Sequence, residues 1–478
     1  MASKNISFDQ IPSSIRKPGK YFEFNTKLAV RTLPNNKQSM LIIAQRTSAG
    51  TVLANVLTTV FSDKQAETYF GVGSMAHLMT RAAIKANAYL DLSVIALDDA
   101  SAGQPAVGTV TIGGPATVGG VLTLYVGNAK VEIAITAADT ASAIAAALKA
   151  EIDNNPALPV TAAVAEAVVT LTARNKGLCG NDIGLAYKLT NTTGVTVAIV
   201  AMASGATNPS LTAALAAVFA HKFDVIVTPY NTQTDLTTIE THLDSVSGPM
   251  EQRPGIGVYG MNDALATATT LSGQVNSGRI LCAYLRYTSA TARKSMPCEI
   301  AAAMGAVMCY EEDPARPLNT LELESIAVPD IKDRFSRTEQ ENLLYNGVTP
   351  IEVINETVQI VRAVSTYIQD AQGIDDVSLL DITTIRTLDY VRKACRERIA
   401  LRFPREKLSS KTPAKVRTEL LDVLLKLQDL EIVEEVEANK DGLIVERDLQ
   451  DVNRLNAKIP CDVVNGLHIF AGRIDLLL

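Results

Sequence analysis

Two short apolar runs constrain this chain more than anything else in it: MLIIA within Ser39–Gln45 and LSVIAL within Asp91–Leu97. A half-exposed strand alternates apolar and polar residues, whereas a strand apolar throughout is buried on both faces. Such strands belong to parallel sheets covered by helices. Between the two runs, Ser62 and Asp63 mark the start of a short helix. Ser74 caps a longer one, Met75–Tyr89, with Met75, Leu78, Met79, Ala82 and Ala86 along one side. Residues 39–98 therefore predict a β-α-β unit. The same pattern resumes after Ser210: helix Leu211–His221, strand Asp224–Thr228, helix Thr234–Val246, strands Gly255–Tyr259 and Ile280–Tyr284, then helix Cys298–Tyr310 before the loop Asp313–Pro317.

The stretch between these halves differs in character. From about Ala100 to Ser204, Gly, Thr, Val and Ala dominate, and charged residues almost vanish until Glu132. Strands are predicted at Gly108–Ile112, Val121–Val126, Lys130–Ile135, Val160–Ala165 and Val168–Ala173, with a helix at Asp139–Asn154 capped by Asp139 or Thr140. This reads as a small α+β domain inserted into the α/β core. After residue 349 come strands Ile351–Val353 and Val358–Ala363, then helices Ile382–Phe403 and Pro413–Leu430, each with an apolar stripe, and a strand at Gly442–Val445. Both ends alternate like strands, at Tyr21–Val30 and over Asp462–Leu477. The expected organisation is an N-terminal arm (1–38), a first α/β core stretch (39–99), the insert (100–205), a second core stretch (206–348) and a C-terminal α+β domain with an arm strand (349–478). A strand at a chain end leaves its backbone groups unpaired unless another sheet accepts it, and a second subunit offers one.

Chemical motifs are scarce. The four histidines and six scattered cysteines show neither C-x₂-C nor H-E-x-x-H spacing, so no metal site or cofactor is expected. The cysteines lie mostly in apolar runs and read as reduced core thiols. The polar start MASKNISFDQ lacks a secretory apolar segment, and no apolar run reaches the ~18 residues of a membrane span. The chain is expected to be soluble when made, with no membrane insertion. A dinucleotide-like G-x-G-x-x-A occurs at Gly71–Ala76, but helix-like sequence (DKQAETYF) precedes it where a strand is required, so a structural turn capped by Ser74 is the better reading. No G-x-S-x-G elbow accompanies His77, His221, His242 or His468. The net charge of −7 argues against a dedicated nucleic-acid binder. It conceals an asymmetry: residues 385–417 hold eleven basic and three acidic residues, +8 in all, which leaves −15 on the rest. Arg392, Lys393 and Arg396 flank the apolar stripe of the first long helix on one side, and Arg398 and Arg402 on the other. This face is either a solubilising surface or a dock for an acidic partner.

Several stretches together resemble the tail sheath proteins of contractile phages, in particular the Mu-like branch. They are FGVGSM at Phe70–Met75 through Asp98; the insert motifs GTVTIGG, LTLYVGNAKVEIAIT, DTASAIAAALKAEID and LTARNKGLCGND; DPARPLNTL from Asp313; NGVTPI from Asn346; and LDITTIRTLDYVR from Leu380 through Arg402-Phe-Pro-Arg405. The resemblance spans nearly the whole chain. It implies a structural protein, not an enzyme, with a core of subtilisin-like topology but no hydrolase triad. It further implies hexameric rings stacked helically around an inner tail tube, with baseplate and tail terminator proteins as further partners and no direct nucleic acid. Contraction of the array would drive the tube through a bacterial envelope, and assembly would take place in the host cytoplasm. By the same resemblance the arms exchange between subunits, through Tyr21, Phe22, Phe24, Leu28 and Val30 and through Leu467, Ile469, Phe470, Ile474 and Leu476. Arg392, Lys393, Arg396, Arg398 and Arg402 become candidate tube-facing residues. The alternatives are the sheath of a pyocin or secretion-type injection machine and, more distantly, a nucleotide-binding α/β enzyme.

Overall fold

The computed structural model describes residues 16–22 and 33–477. The chain divides into two units, one of Lys37–Asp389 with 465–478, the other of Tyr390–Val464 with the residues before 37.

The larger unit is organised by an eight-stranded sheet. Its order runs Thr357–Ile360, Thr349–Ile354, Ile280–Tyr284, Ile256–Met261, Val225–Val227, Ser39–Gln45, Asp91–Leu97, Leu57–Thr59. The six inner strands are parallel and the two edge strands antiparallel. The runs at 40–44 and 92–97 lie in its interior and are buried without alternation. Helices Met75–Ala86 and Pro297–Tyr310 pack against each other, and both also contact the sheet. Pro297–Tyr310 is buried through its whole length except Tyr310, which is why its sequence is apolar all round but for Glu299, whose carboxylate accepts the Met296 N–H at the helix start. Around this sheet the edge strand Leu57–Thr59 and helices Leu265–Val275 and Arg337–Tyr345 have no counterpart in the sequence pattern.

Residues 105–203 build two antiparallel sheets around the helix Ala141–Asp153, whose N-cap is Thr140. One sheet has four strands, Thr196–Ala203, Pro105–Gly113, Val168–Lys176 and Val160–Ala165. The other has three, Ala129–Ile135, Gly120–Val126 and Leu185–Thr190. Strands 185–190 and 196–203 have no counterpart in the motif pattern; the second escapes it because its exposed face carries Ala198, Val200 and Ala203 in place of polar residues.

The smaller unit has its own core, in which Tyr390, Val391, Ala394 and Cys395 of the helix Ile382–Arg402 meet Val416, Leu420, Val423, Leu424 and Leu427 of the helix Thr412–Asp429. Leu33 packs against this core. A hairpin pairs Ile444–Arg447 with Leu455–Lys458, and a short ladder pairs Val433–Glu434 with Asp462–Val463.

Two expectations need correction. The strands after residue 349 add to the edge of the α/β sheet, through Ala283↔Thr349 and Tyr284↔Pro350, so the division falls inside the long helix after Asp389 and not at 349. The strand expected over Asp462–Leu477 is limited to Asp462–Val463, because the residues beyond find no ladder partner among the described residues. Of the strand expected at Tyr21–Val30, Tyr21 and Phe22 are exposed and irregular, whereas Phe24, Leu28 and Val30 lie outside the described residues.

Candidate interaction surfaces

The Gly71–Ala76 motif is a turn between two helices. The helix Asp63–Phe70, capped by Ser62, precedes it, and Ser74 Oγ accepts the His77 N–H to start Met75–Ala86. Gly73 has φ +74°, and a Cβ there would lie 2.4 Å from the Leu158 carbonyl oxygen, so its glycine serves close packing. No strand feeds the turn, and nothing in it forms the phosphate cradle that a dinucleotide needs.

The crevice between the ends of Ser39–Gln45 and Val225–Val227, where an open α/β sheet usually holds its ligand, is bridged by the chain itself. The Asp99 carboxylate accepts hydrogen bonds from Gln45 Nε2 (2.6 Å), Asn175 Nδ2 (3.1 Å) and the Lys176 N–H (3.1 Å). Cys179 Sγ donates to the Pro229 carbonyl at 3.3 Å. These bonds place the segment 175–179 where a substrate would otherwise enter.

Asp63, Glu67 and His77 bring three potential ligand atoms within 4.8 Å of one another. The imidazole geometry argues against a metal. His77 Nδ1 accepts the Gly73 N–H at 3.0 Å, so Nε2 carries the proton and donates to Asp63 Oδ1, also at 3.0 Å. Both nitrogens are committed, and burial, aided by Arg81, holds the pKa below the usual histidine value. His77 is a buried strut for the turn. His221 stacks on Phe223 and His242 meets Phe219 edge-on, which are packing roles.

The basic segment separates into two populations. Arg386 is buried, and its guanidinium donates to the Glu311 carbonyl at 2.5 Å. Arg398 is also buried: it pairs with Glu419 at 3.2 Å and with Asp422 on the facing helix, and Arg402 reaches Glu419 at 3.2 Å. Arg398 is therefore corrected from a tube-facing candidate to an internal one, because a buried guanidinium must satisfy its charge nearby. Among the rest, Arg392 and Lys393 are half-buried and Arg396 is exposed, with Lys393 Nζ donating to the Asn35 carbonyl. Glu419 and Asp422 carry no sequence signal that distinguishes them from any acidic helix face.

Beyond Val463 the chain exposes its large apolar side chains: Leu467, Ile469, Phe470, Ile474 and Leu476 are each more than three-quarters exposed. The smaller unit in turn offers a two-stranded hairpin and an open apolar groove lined by Ile399, Phe403, Val416, Leu420, Leu455 and Ile459. A molecule with a closed crevice, committed histidines and exposed apolar segments is built to work through its surfaces.

Residues 204–366 match the phage tail sheath protein central domain and residues 375–476 the phage tail sheath C-terminal domain. Over 99% of this chain and 100% of the relative, the sequence is 33% identical to the Mu-like prophage FluMu tail sheath protein of Haemophilus influenzae. The chain belongs to the phage tail sheath family. Family members are structural proteins of the tail and not enzymes, in keeping with the bridged crevice. The fold agrees: the sheath tail protein of Desulfitobacterium hafniense superposes with a TM-score of 0.52 at 14% identity, covering 94% of this chain and 97% of that one. The sheath tail protein of Listeria innocua gives 0.50 at 13%, covering 91% and 94%. A chain in the cryo-EM structure of the anti-feeding prophage baseplate gives 0.50 at 13%, covering 97% and 100%. Among the described residues, no helix of this sheath protein is long and apolar enough to cross a membrane.

Proposed function

We propose that this protein polymerises as hexameric rings in a helical array around an inner tail tube, and that contraction of the array drives the tube through a bacterial envelope during genome delivery. The observation that carries this reading is the row of exposed apolar residues from Leu467 to Leu476, which adds to no sheet among the described residues. An extended apolar segment is stabilised by adding to a sheet edge of another copy, and the hairpin of Ile444–Arg447 and Leu455–Lys458 supplies one. Covalent arms of this kind let bodies rotate and slide while strand pairing persists, and the extended array is then held kinetically. The N-terminal arm, with Tyr21, Phe22, Phe24, Leu28 and Val30, serves the same exchange. Arg392, Lys393 and Arg396 face the tube protein, and baseplate and tail terminator proteins close the two ends. The parallel core follows a subtilisin-like topology, the 100–205 module is peripheral, and assembly takes place in the host cytoplasm. A sheath of an injection machine shares this physics; the full-length likeness to a Mu-like prophage relative favours a phage tail.

Negative-stain microscopy of the purified chain tests the reading. Hollow striated cylinders are expected from the intact protein, and folded, non-polymerising monomers from chains lacking 1–25 or 466–478. Regular cylinders from both truncations would overturn arm exchange.

A further inference from the structure

Three stretches distant in sequence converge on one histidine near the end of the chain. His468 is the one large side chain of the 467–470 stretch that turns inward, with its side chain 13% exposed, while Leu467, Ile469 and Phe470 around it are open to solvent. Its Nδ1 lies 2.9 Å from Nδ2 of Asn319, which belongs to the DPARPLNTL stretch. Its Nε2 faces Oδ1 of Asp381, from the LDITTIRTLDYVR stretch, at 3.4 Å. That separation is long for a hydrogen bond, so the ring edge rests against the carboxylate rather than being tightly bonded to it. Asp381 is itself gripped by Arg362 through bonds of 2.9 and 2.6 Å, so the carboxylate that meets the ring is fixed in place. Two residues earlier, Gly466 lies against Pro317: a Cβ at 466 would come within 2.6 Å of Pro317 Cγ and 2.9 Å of His468 Nε2. All of these residues belong to the larger unit.

We propose that His468 is a clasp that pins the root of the 469–477 segment to its own subunit through Asn319 and Asp381, so that only residues beyond it are given to a neighbour. The inference rests on the arm-exchange reading for its purpose, but the clasp itself is a property of the single chain. It divides the terminal stretch physically. Gly466 and His468 supply a polar, sterically matched seat on the core, and Ile469, Phe470, Ile474 and Leu476 supply an apolar strand free to pair elsewhere. A fixed root shortens the path the segment can sample, which raises its effective concentration at an adjacent sheet edge. It also sets the register in which a donated strand enters that edge, and a shift of one residue would turn its apolar side chains to the wrong face.

The test separates the clasp from the exchange. In a Cys461→Ser background, Arg316→Cys with Leu467→Cys, two exposed positions beside the Pro317–Gly466 contact that leave Asn319, Asp381 and His468 in place, is treated with a short thiol-to-thiol cross-linker, first as unassembled chain and then after assembly. Monomer-sized product in both states is expected; a ladder of cross-linked oligomers after assembly would show that the root itself swaps and overturn the proposal. In parallel, a fluorophore on Ala471→Cys reports the anisotropy of the segment in unassembled protein. His468→Ala, and separately Gly466→Val, should each lower it to the value of a freely tumbling tail, whereas unchanged anisotropy in both would overturn the clasp. Failure of arm exchange leaves these single-chain readouts unaffected and shows up only as cylinders from truncated protein.

Discussion

Arg279 grips Asp389 through two parallel hydrogen bonds, Nη1 to Oδ2 at 2.7 Å and Nη2 to Oδ1 at 3.0 Å. The pair ties the start of the strand Ile280–Tyr284 to the first half of the helix Ile382–Arg402, at the last residue of the larger unit before the division. Both side chains are mostly buried, at 13% and 15% exposure, so removing one strands the other. Asp389→Ala should destabilise the larger unit by about 2 kcal/mol, and Arg279→Lys by about 1 kcal/mol, because an ammonium cannot reproduce the fork. Thermal unfolding of the intact chain reads both, and no change in midpoint would contradict the pair's role.

Arg398 should behave as a core residue. Arg398→Ala leaves Glu419 and Asp422 without their buried cation and is expected to cost about 3 kcal/mol, whereas Arg398→Met combined with Glu419→Leu should lose much less. Denaturant unfolding followed in the smaller unit distinguishes these outcomes.

Charge reversal at Arg392 and Arg396 should leave the chain folded and able to form cylinders alone, yet loosen its co-assembly with the tube protein. Surface ion pairs are individually worth less than about 1 kcal/mol, but a helical array repeats them many times. Co-sedimentation of sheath with tube measures this, and unchanged co-assembly would count against the tube-facing assignment.

Asp381 sets an acid limit. Burial pushes its pKa up, but the nearby His468 ring and the hydrogen bonds from Arg362 outweigh that and hold it at about 2. The folded value lies below the roughly 3.9 of an unfolded aspartate, so the stabilisation is complete above pH ~4 and is lost as pH falls through 2. It amounts to about 2 kcal/mol at neutral pH. Asp381→Asn should be less stable at neutrality and show a flatter decline from pH 4 to 2, measured by unfolding midpoints across that range.

The glycine turn is structural, and its substitution should show that. Gly73→Ala forces a side chain into positive φ and against the Leu158 carbonyl, at a cost of about 3 kcal/mol. Calorimetric titration of the unaltered protein with dinucleotides should give no binding heat; a stoichiometric heat would revive the enzymatic reading.

Much of the parallel core was legible in the sequence because burial on both faces leaves a mark in composition. The runs at 40–44 and 92–97, the strand Ile280–Tyr284 and the apolar helix Pro297–Tyr310 are apolar on every side, and nothing but a sheet interior or a helix between layers accommodates them. The caps at Ser62 and Ser74 are local as well, since each hydrogen-bonds within three residues of itself. Pairings decided by distance were not legible. That Thr349–Ile354 continues the sheet depends on Ala283 and Tyr284, about seventy residues away.

The sequence by itself determined a helix-covered parallel sheet, an α+β insert, a basic helix and terminal segments rich in alternating apolar residues. It could do so because periodicity, capping and charge act over a few residues. Only the tertiary structure decided what each of those residues faces. It buried Arg398 between two carboxylates, bridged the sheet crevice with residues 175–179 and turned His468 inward between Asn319 and Asp381. Those outcomes follow from long-range partners, and a side chain's charge or ring reads the same in the sequence whether its partner is water, another helix or a neighbouring subunit.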